Sequence, residues 1–166
     1  MRLRSLLLAV SLGGALLGQP TPQAPPEDVP GAEFVFEEIV TLAPVVKVGK
    51  TFRGVRQYIP ITGGTFQGKL KGKILPGGWD WQLTRPDGCT DVEASYFIQV
   101  DDGTIIHVLN KGELCSGGQG APRTHPVFEA PEGPHAWLNQ AAFVGTLGPA
   151  NIPGQSAVKI RFYRLK

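Results

Sequence analysis

The chain predicts an all-β fold: one domain built as a single antiparallel β-barrel, with a two-sheet β-sandwich as the alternative. Three observations carry this expectation. The 22 glycines and 15 prolines fall at intervals between short apolar runs, as turns between strands would place them. Several runs alternate apolar and polar residues with a period of two. No long amphipathic helical stretch separates them. Closure favours the barrel because it removes exposed strand edges, whereas the sandwich arranges similar strands in two layers.

The first elements concern targeting. Arg2 and Arg4 precede an apolar run over residues 6–17, so residues 1–18 read as a signal peptide. Twelve residues fall short of the roughly 20 that cross a bilayer, and no stable membrane span is expected. Residues 19–32, rich in proline, read as a disordered linker. The barrel domain is expected over residues 33–166, in the periplasm or outside the cell. Of the 16 Lys and Arg residues, Arg2 and Arg4 belong to the leader, which leaves 14 cations against 14 acids. That balance gives no support for nucleic-acid binding.

The strands follow in order. Residues 33–42 set Phe34 and Phe36 against Glu33, Val35 and Glu37, and residues 55–61 end in the turn Thr62-Gly63-Gly64. Residues 65–75 place Lys69, Lys71 and Lys73 on a wet face, opposite Phe66, Gly68 and Leu70. Residues 79–83 follow Pro76-Gly77-Gly78 and lead into the turn Arg85-Pro86-Asp87-Gly88. Residues 94–100 put Tyr96, Ile98 and Val100 on one face; Asp101-Asp102-Gly103 then turns the chain into residues 104–110 as a hairpin. Residues 136–146 and 157–165 complete the set, the latter with Val158, Ile160 and Phe162 on one side. Residues 41–46 and 138–143 are the candidates for helical turns.

Chemistry is sparser. Asp80 lies between Trp79 and Trp81 on a strand, so the carboxylate and the indoles face opposite ways. Asp80, with Asp91 and Glu93, is a candidate for a carboxylate pocket, set against the ordinary reading of these acids as solvated turn groups. Asp101 and Asp102 fit turn chemistry better than a calcium loop. His107, His125 and His135 show no metal-ligand spacing, so no metal is expected. His107 would suit a base if it faced inward. Cys89 and Cys115 are candidates for a disulfide in an oxidising compartment, with two independent thiols as the rival reading.

The segments Ile61-Thr62-Gly63-Gly64, Phe66-Gln67-Gly68, Pro76-Gly77-Gly78, Asp80-Trp81, Asp101-Asp102-Gly103, Asn110-Lys111-Gly112, Pro126-Val127-Phe128-Glu129 and Trp137-Leu138-Asn139 occur together in this order. In that order and spacing the chain resembles the bacterial and fungal family called domain of unknown function 3237, from about Phe34 to Tyr163. The resemblance implies a compact β-barrel and brings no assigned activity. It implies Arg56, Asp80, Trp81, Glu93, Asp102 and Glu129 as the positions of interest. Ser95 stands where the family usually has an arginine, and Val100 where it has a threonine.

These readings converge on an exported barrel that binds a small, partly apolar organic molecule without a cofactor. Tyr58, Trp81 and Tyr96 would supply aromatic walls, Arg56 an anchor for an anionic group, and Asp80 or Glu129 a polar contact or acid–base group. A cofactor-independent isomerase or lyase, and a noncatalytic protein acting through its outer surface, are the alternatives. Each is compatible with a homo-oligomer.

Overall fold

The computed structural model describes residues 30–115, 117 and 122–166. The expected leader, and the linker up to its last three residues, lie outside the described residues. Ten strands follow one another: β1 (Ala32–Leu42), β2 (Val46–Thr51), β3 (Gly54–Gly68), β4 (Gly72–Ile74), β5 (Gly78–Thr84), β6 (Thr90–Val100), β7 (Ile105–Leu114), β8 (Arg123–Glu129), β9 (Phe143–Pro149) and β10 (Ser156–Leu165). A 3₁₀ turn, Ala136–Asn139, precedes β9. No helix among the described residues is long and apolar enough to cross a membrane.

The sheet closes because β1 pairs with both β10 and β3, giving an eight-stranded antiparallel barrel. Ten strands fit eight positions by sharing. Beyond the break at Pro44, β2 pairs with the first part of β3, where β1 pairs with the last. Likewise β4 and β5 divide the position between β3 and β6. Every strand pair is antiparallel, as the alternating patterns and tight turns require.

Several expected elements shift, each for a local reason. Thr62-Gly63-Gly64 is no turn: β3 runs through it, with Gly63 and Gly64 at φ of 137° and 140°. A Cβ on Gly64 would sit 2.0 Å from the Ile39 carbonyl oxygen, so glycine lets β3 coil tightly against β1. A bulge between Phe34 and Phe36 buries Val35 beside Phe36 and leaves Phe34 exposed, which breaks the expected parity. The expected strand over residues 136–146 begins only at Phe143, because Ala136–Asn139 takes the helical turn. The other helical candidate, residues 41–46, is the extended end of β1, a three-residue break and the first residue of β2. Lys69 and Lys71 lie in the turn between β3 and β4, and only Lys73 lies on a strand.

One half of the interior is packed with rings. Phe36 contacts Phe66 and Phe162 at centroid separations of 5.2 Å, and Phe128 meets Phe143 at 4.8 Å. Leu138, on the 3₁₀ turn, is buried with them. Each fully buried Phe contributes on the order of 1.5–3 kcal/mol from apolar area alone, and the edge-to-face geometry adds to it. The other half, toward the end bearing Cys89 and Cys115, is less completely filled. There the two cysteines form a disulfide that ties the β5–β6 turn to the end of β7.

Candidate functional site

Strand register decides which side chains meet inside. Ile59, Asp80, Ala94, Asn110 and Pro126 face one another in a row across β3, β5, β6, β7 and β8. The adjacent inward row runs Gln57, Gln82, Val92, Gly112, Thr124, Gly145 and Phe162. Each row holds a small residue beside a polar one: Ala94 separates Asp80 from Asn110, and Gly112 separates Val92 from Thr124. A Cβ on Gly145 would sit 2.1 Å from Thr124 Oγ1, so this glycine makes room for the hydroxyl. The space left is a cavity of ≈150 Å³. Its apolar walls include Val40, Ile59, Val92, Leu147 and Val158, and its polar lining is Asp80, Gln82, Asn110, Thr124 and the Tyr96 side chain.

The polar groups are partly wired together. Gln57 Nε2 donates to Gln82 Oε1 at 2.7 Å, and Gln82 Nε2 donates to Asp80 Oδ2 at 2.7 Å. That chain orients the carboxyl and leaves Asp80 Oδ1 buried without a protein partner; Asn110 Oδ1 and Thr124 Oγ1 share that state. Burial pushes the Asp80 carboxyl above its ordinary value, against the opposing effect of the Gln82 hydrogen bond. Behind the cavity, the Tyr96 hydroxyl donates to Glu38 Oε2 at 2.6 Å. Glu38 is completely buried, and desolvation pushes its carboxyl up to about 8, so it is protonated at neutral pH. An unsatisfied buried polar oxygen costs roughly 1–3 kcal/mol, so three on residues that line one small space make an uncommon concentration of unmet polarity.

The residues singled out in the sequence do not gather in one place. Asp80 and Tyr96 line the interior. Arg56, Trp81 and Glu93 line an open groove on the outer wall, with Asp91, Lys111 and His125. Tyr58 lies on the same wall, with its ring centroid 5.2 Å from Trp79 and 5.3 Å from Trp81. Tyr58 and Trp81 therefore cannot wall the cavity that Asp80 enters, because strand parity points them outward. Asp102 closes the β6–β7 turn: its Oδ1 accepts from Thr104 N at 2.9 Å, and its Oδ2 lies 2.7 Å from His135 Nε2. Those hydrogen bonds, the backbone one first, hold its carboxyl down to about 2. Glu129 is an exposed outer residue, 3.9 Å from His107 Nδ1.

Ser95 Oγ lies 2.9 Å from His107 Nε2, which gives Ser95, His107 and Glu129 the outline of a triad. Oxyanion donors are missing from that outline. The backbone of β6 around Ser95 is committed to ladders with β5 and β7, so no N–H pair is free to stabilise an oxyanion. The cluster is a cross-strand polar contact on the outer wall. The disulfide likewise removes Cys89 and Cys115 as nucleophiles.

Glu38, Asn110 and Thr124 went unrecognised in the sequence. Two of them carried a signal. Glu38 shares parity with Phe36 and Val40, and Asn110 with Ile106 and Val108, so each is a polar residue on an apolar face.

A closed eight-stranded antiparallel barrel, with a ring-packed half and a small polar-lined chamber, is the class of protein these features define. The family described as "Protein of unknown function (DUF3237)" matches residues 30–165, and the chain belongs to it. A UPF0311 protein from Bradyrhizobium diazoefficiens is 37% identical over 129 residues, covering 69% of this chain and 85% of the relative. The crystal structure of a conserved protein of unknown function from Rhodopseudomonas palustris is similar, with a TM-score of 0.72 and 31% identity. It covers 83% of this chain and 99% of that one. A β-barrel-like protein from Acinetobacter baumannii gives a TM-score of 0.73 at 31% identity, over 88% of this chain and 100% of that one.

Proposed function

We propose that the barrel binds a small, partly apolar molecule carrying hydroxyl groups inside the Asp80–Asn110–Thr124 cavity. The observation that carries this reading is that three residues lining a single cavity each hold one buried, unpartnered oxygen. A cavity of ≈150 Å³ matches the size of engineered apolar cavities that accept benzene. Its apolar walls suit one six-membered ring, and its free oxygens suit the hydrogen-bond donors on that ring.

Phenol and benzene serve as a probe pair in calorimetric titration. The wild-type chain is expected to bind phenol about tenfold tighter than benzene, the worth of one good buried hydrogen bond. Asp80→Asn and Asn110→Leu each reduce that preference, and Arg56→Ala on the outer wall leaves it unchanged. Absence of phenol binding, or a loss confined to Arg56→Ala, would overturn the reading.

The barrel is further proposed to work outside the cytoplasm. The leader pattern in residues 1–18 supports this, and so does the disulfide, a bond uncommon in reducing compartments. N-terminal sequencing of protein recovered outside the cytoplasm is expected to begin beyond the apolar run. An intact Met1 there contradicts export with cleavage.

A further inference from the structure

From Thr41 to Trp79 the sequence has no Asp or Glu, and that stretch contains the β2–β3 hairpin. Only β3 pairs with β2. At its tip, the two-residue turn Phe52-Arg53 leaves the Phe52 side chain 100% exposed. Val46, Val48 and Val55 are exposed beside it. The tip is held in shape: Thr51 Oγ1 donates to the Gly54 carbonyl at 3.0 Å and accepts from Arg53 N at 3.2 Å. A Cβ on Gly54 would lie 2.3 Å from the Thr84 carbonyl oxygen, so glycine allows the hairpin to lie close to β5. A large apolar ring fixed at the apex of a stiff hairpin, fully in water, calls for an occupant.

Charge selects the occupant. Lys47, Lys50, Arg53 and Arg56 surround the apolar tip, and none of them forms an ion pair among the described residues. The acids that share the outer groove with Arg53 and Arg56 are already engaged. Asp91 and Glu113 contact Arg85, and Glu93 lies 2.9 Å from Lys111 Nζ. A second copy docking tip to tip would bring these cations against their own counterparts. The tip is also convex, so a rigid protein would cover only part of Phe52, whereas fluid lipid surrounds it. Trp79, Trp81 and Tyr58 lie on the adjoining outer wall, the residue types that settle at lipid headgroup level.

We infer that the β2–β3 hairpin is a peripheral docking element for anionic lipid surfaces, with Phe52 entering the acyl boundary and Lys47, Lys50 and Arg53 contacting acidic headgroups. This surface is separate from the interior cavity and stands without it. Cosedimentation of the full, disulfide-intact chain with phosphatidylcholine vesicles, with and without phosphatidylglycerol, is the test.

The chain is expected to bind the anionic vesicles at least tenfold more tightly than the neutral ones, with affinity falling as salt rises. Phe52→Ser loses about tenfold. Replacing Lys47, Lys50 and Arg53 by Gln loses roughly fivefold per charge, and unchanged melting temperatures show that the fold survives. Failure to bind anionic vesicles overturns the inference. Binding that persists in both variants, as an apolar leader alone would give, also overturns it. So does a dimer that Phe52→Ser abolishes, since the tip would then be covered by a second copy.

Discussion

Glu38 is the residue whose environment departs furthest from water. Its carboxyl is completely buried, held by Tyr96, and raised from 4.5 to about 8 by desolvation. A raised carboxyl pKa means that ionisation opposes folding. The stability contribution is complete below pH 4.5 and is lost as pH rises through about 8. Urea denaturation across that window is therefore expected to show stability falling with pH, with a limiting slope of about 1.4 kcal/mol per pH unit for one proton. Glu38→Gln removes the ionisation and flattens the slope; an unchanged slope would place its origin elsewhere. The sequence carried this position in its parity with Phe36 and Val40, although its full burial depends on the closure of β1 onto both β10 and β3. Asp80 was legible as an inward carboxylate because Trp79 and Trp81 oblige it to face the other way. Its companions were less so, since Asn110 and Thr124 reach the same chamber from two other strands.

Among the elements, β6 and β10 were legible from alternation, and β7 from the Asp101-Asp102-Gly103 hairpin turn before it. The strands missed or merged are those whose pairing overrides local signals. In β3, two glycines of turn-like composition continue the strand instead of ending it. In β8, Pro126 argues against a strand, yet β8 is paired along most of its length only with β7, and its bonding to β9 is confined to Arg123 and Thr124. A missing N–H is tolerated on the side where the ladder has ended. The disulfide makes its contribution at this scale too, by joining two turns at the cavity end across a separation of 26 residues. Replacing both cysteines by alanine is expected to lower unfolding stability by roughly 3–4 kcal/mol, the loop-closure magnitude. Equal denaturation midpoints for the oxidised and reduced wild-type chain would contradict that role.

For the whole molecule, the barrel is divided between two tasks. Aromatic packing around Phe36, Phe128 and Phe162 supplies cohesion at one end. At the other, Ala94, Gly112 and Gly145 give up packing volume so that polar groups can face a common space. Composition and turn spacing foretold the closed antiparallel wall, because edge removal is a property of the whole sheet. They did not foretell that Arg56, Trp81 and Glu93 sit outside it while Asp80 sits inside, since that follows from register between strands distant in sequence. The central claim is that the chamber, not the outer groove, receives a ligand. Methyl-selective NMR during a phenol titration tests it most directly. Saturable shifts are expected at Ile59, Ala94 and Val158, with the exposed Val48 and Val127 unmoved. Shifts confined to Val48 and the outer wall, or none at saturating phenol, would contradict it.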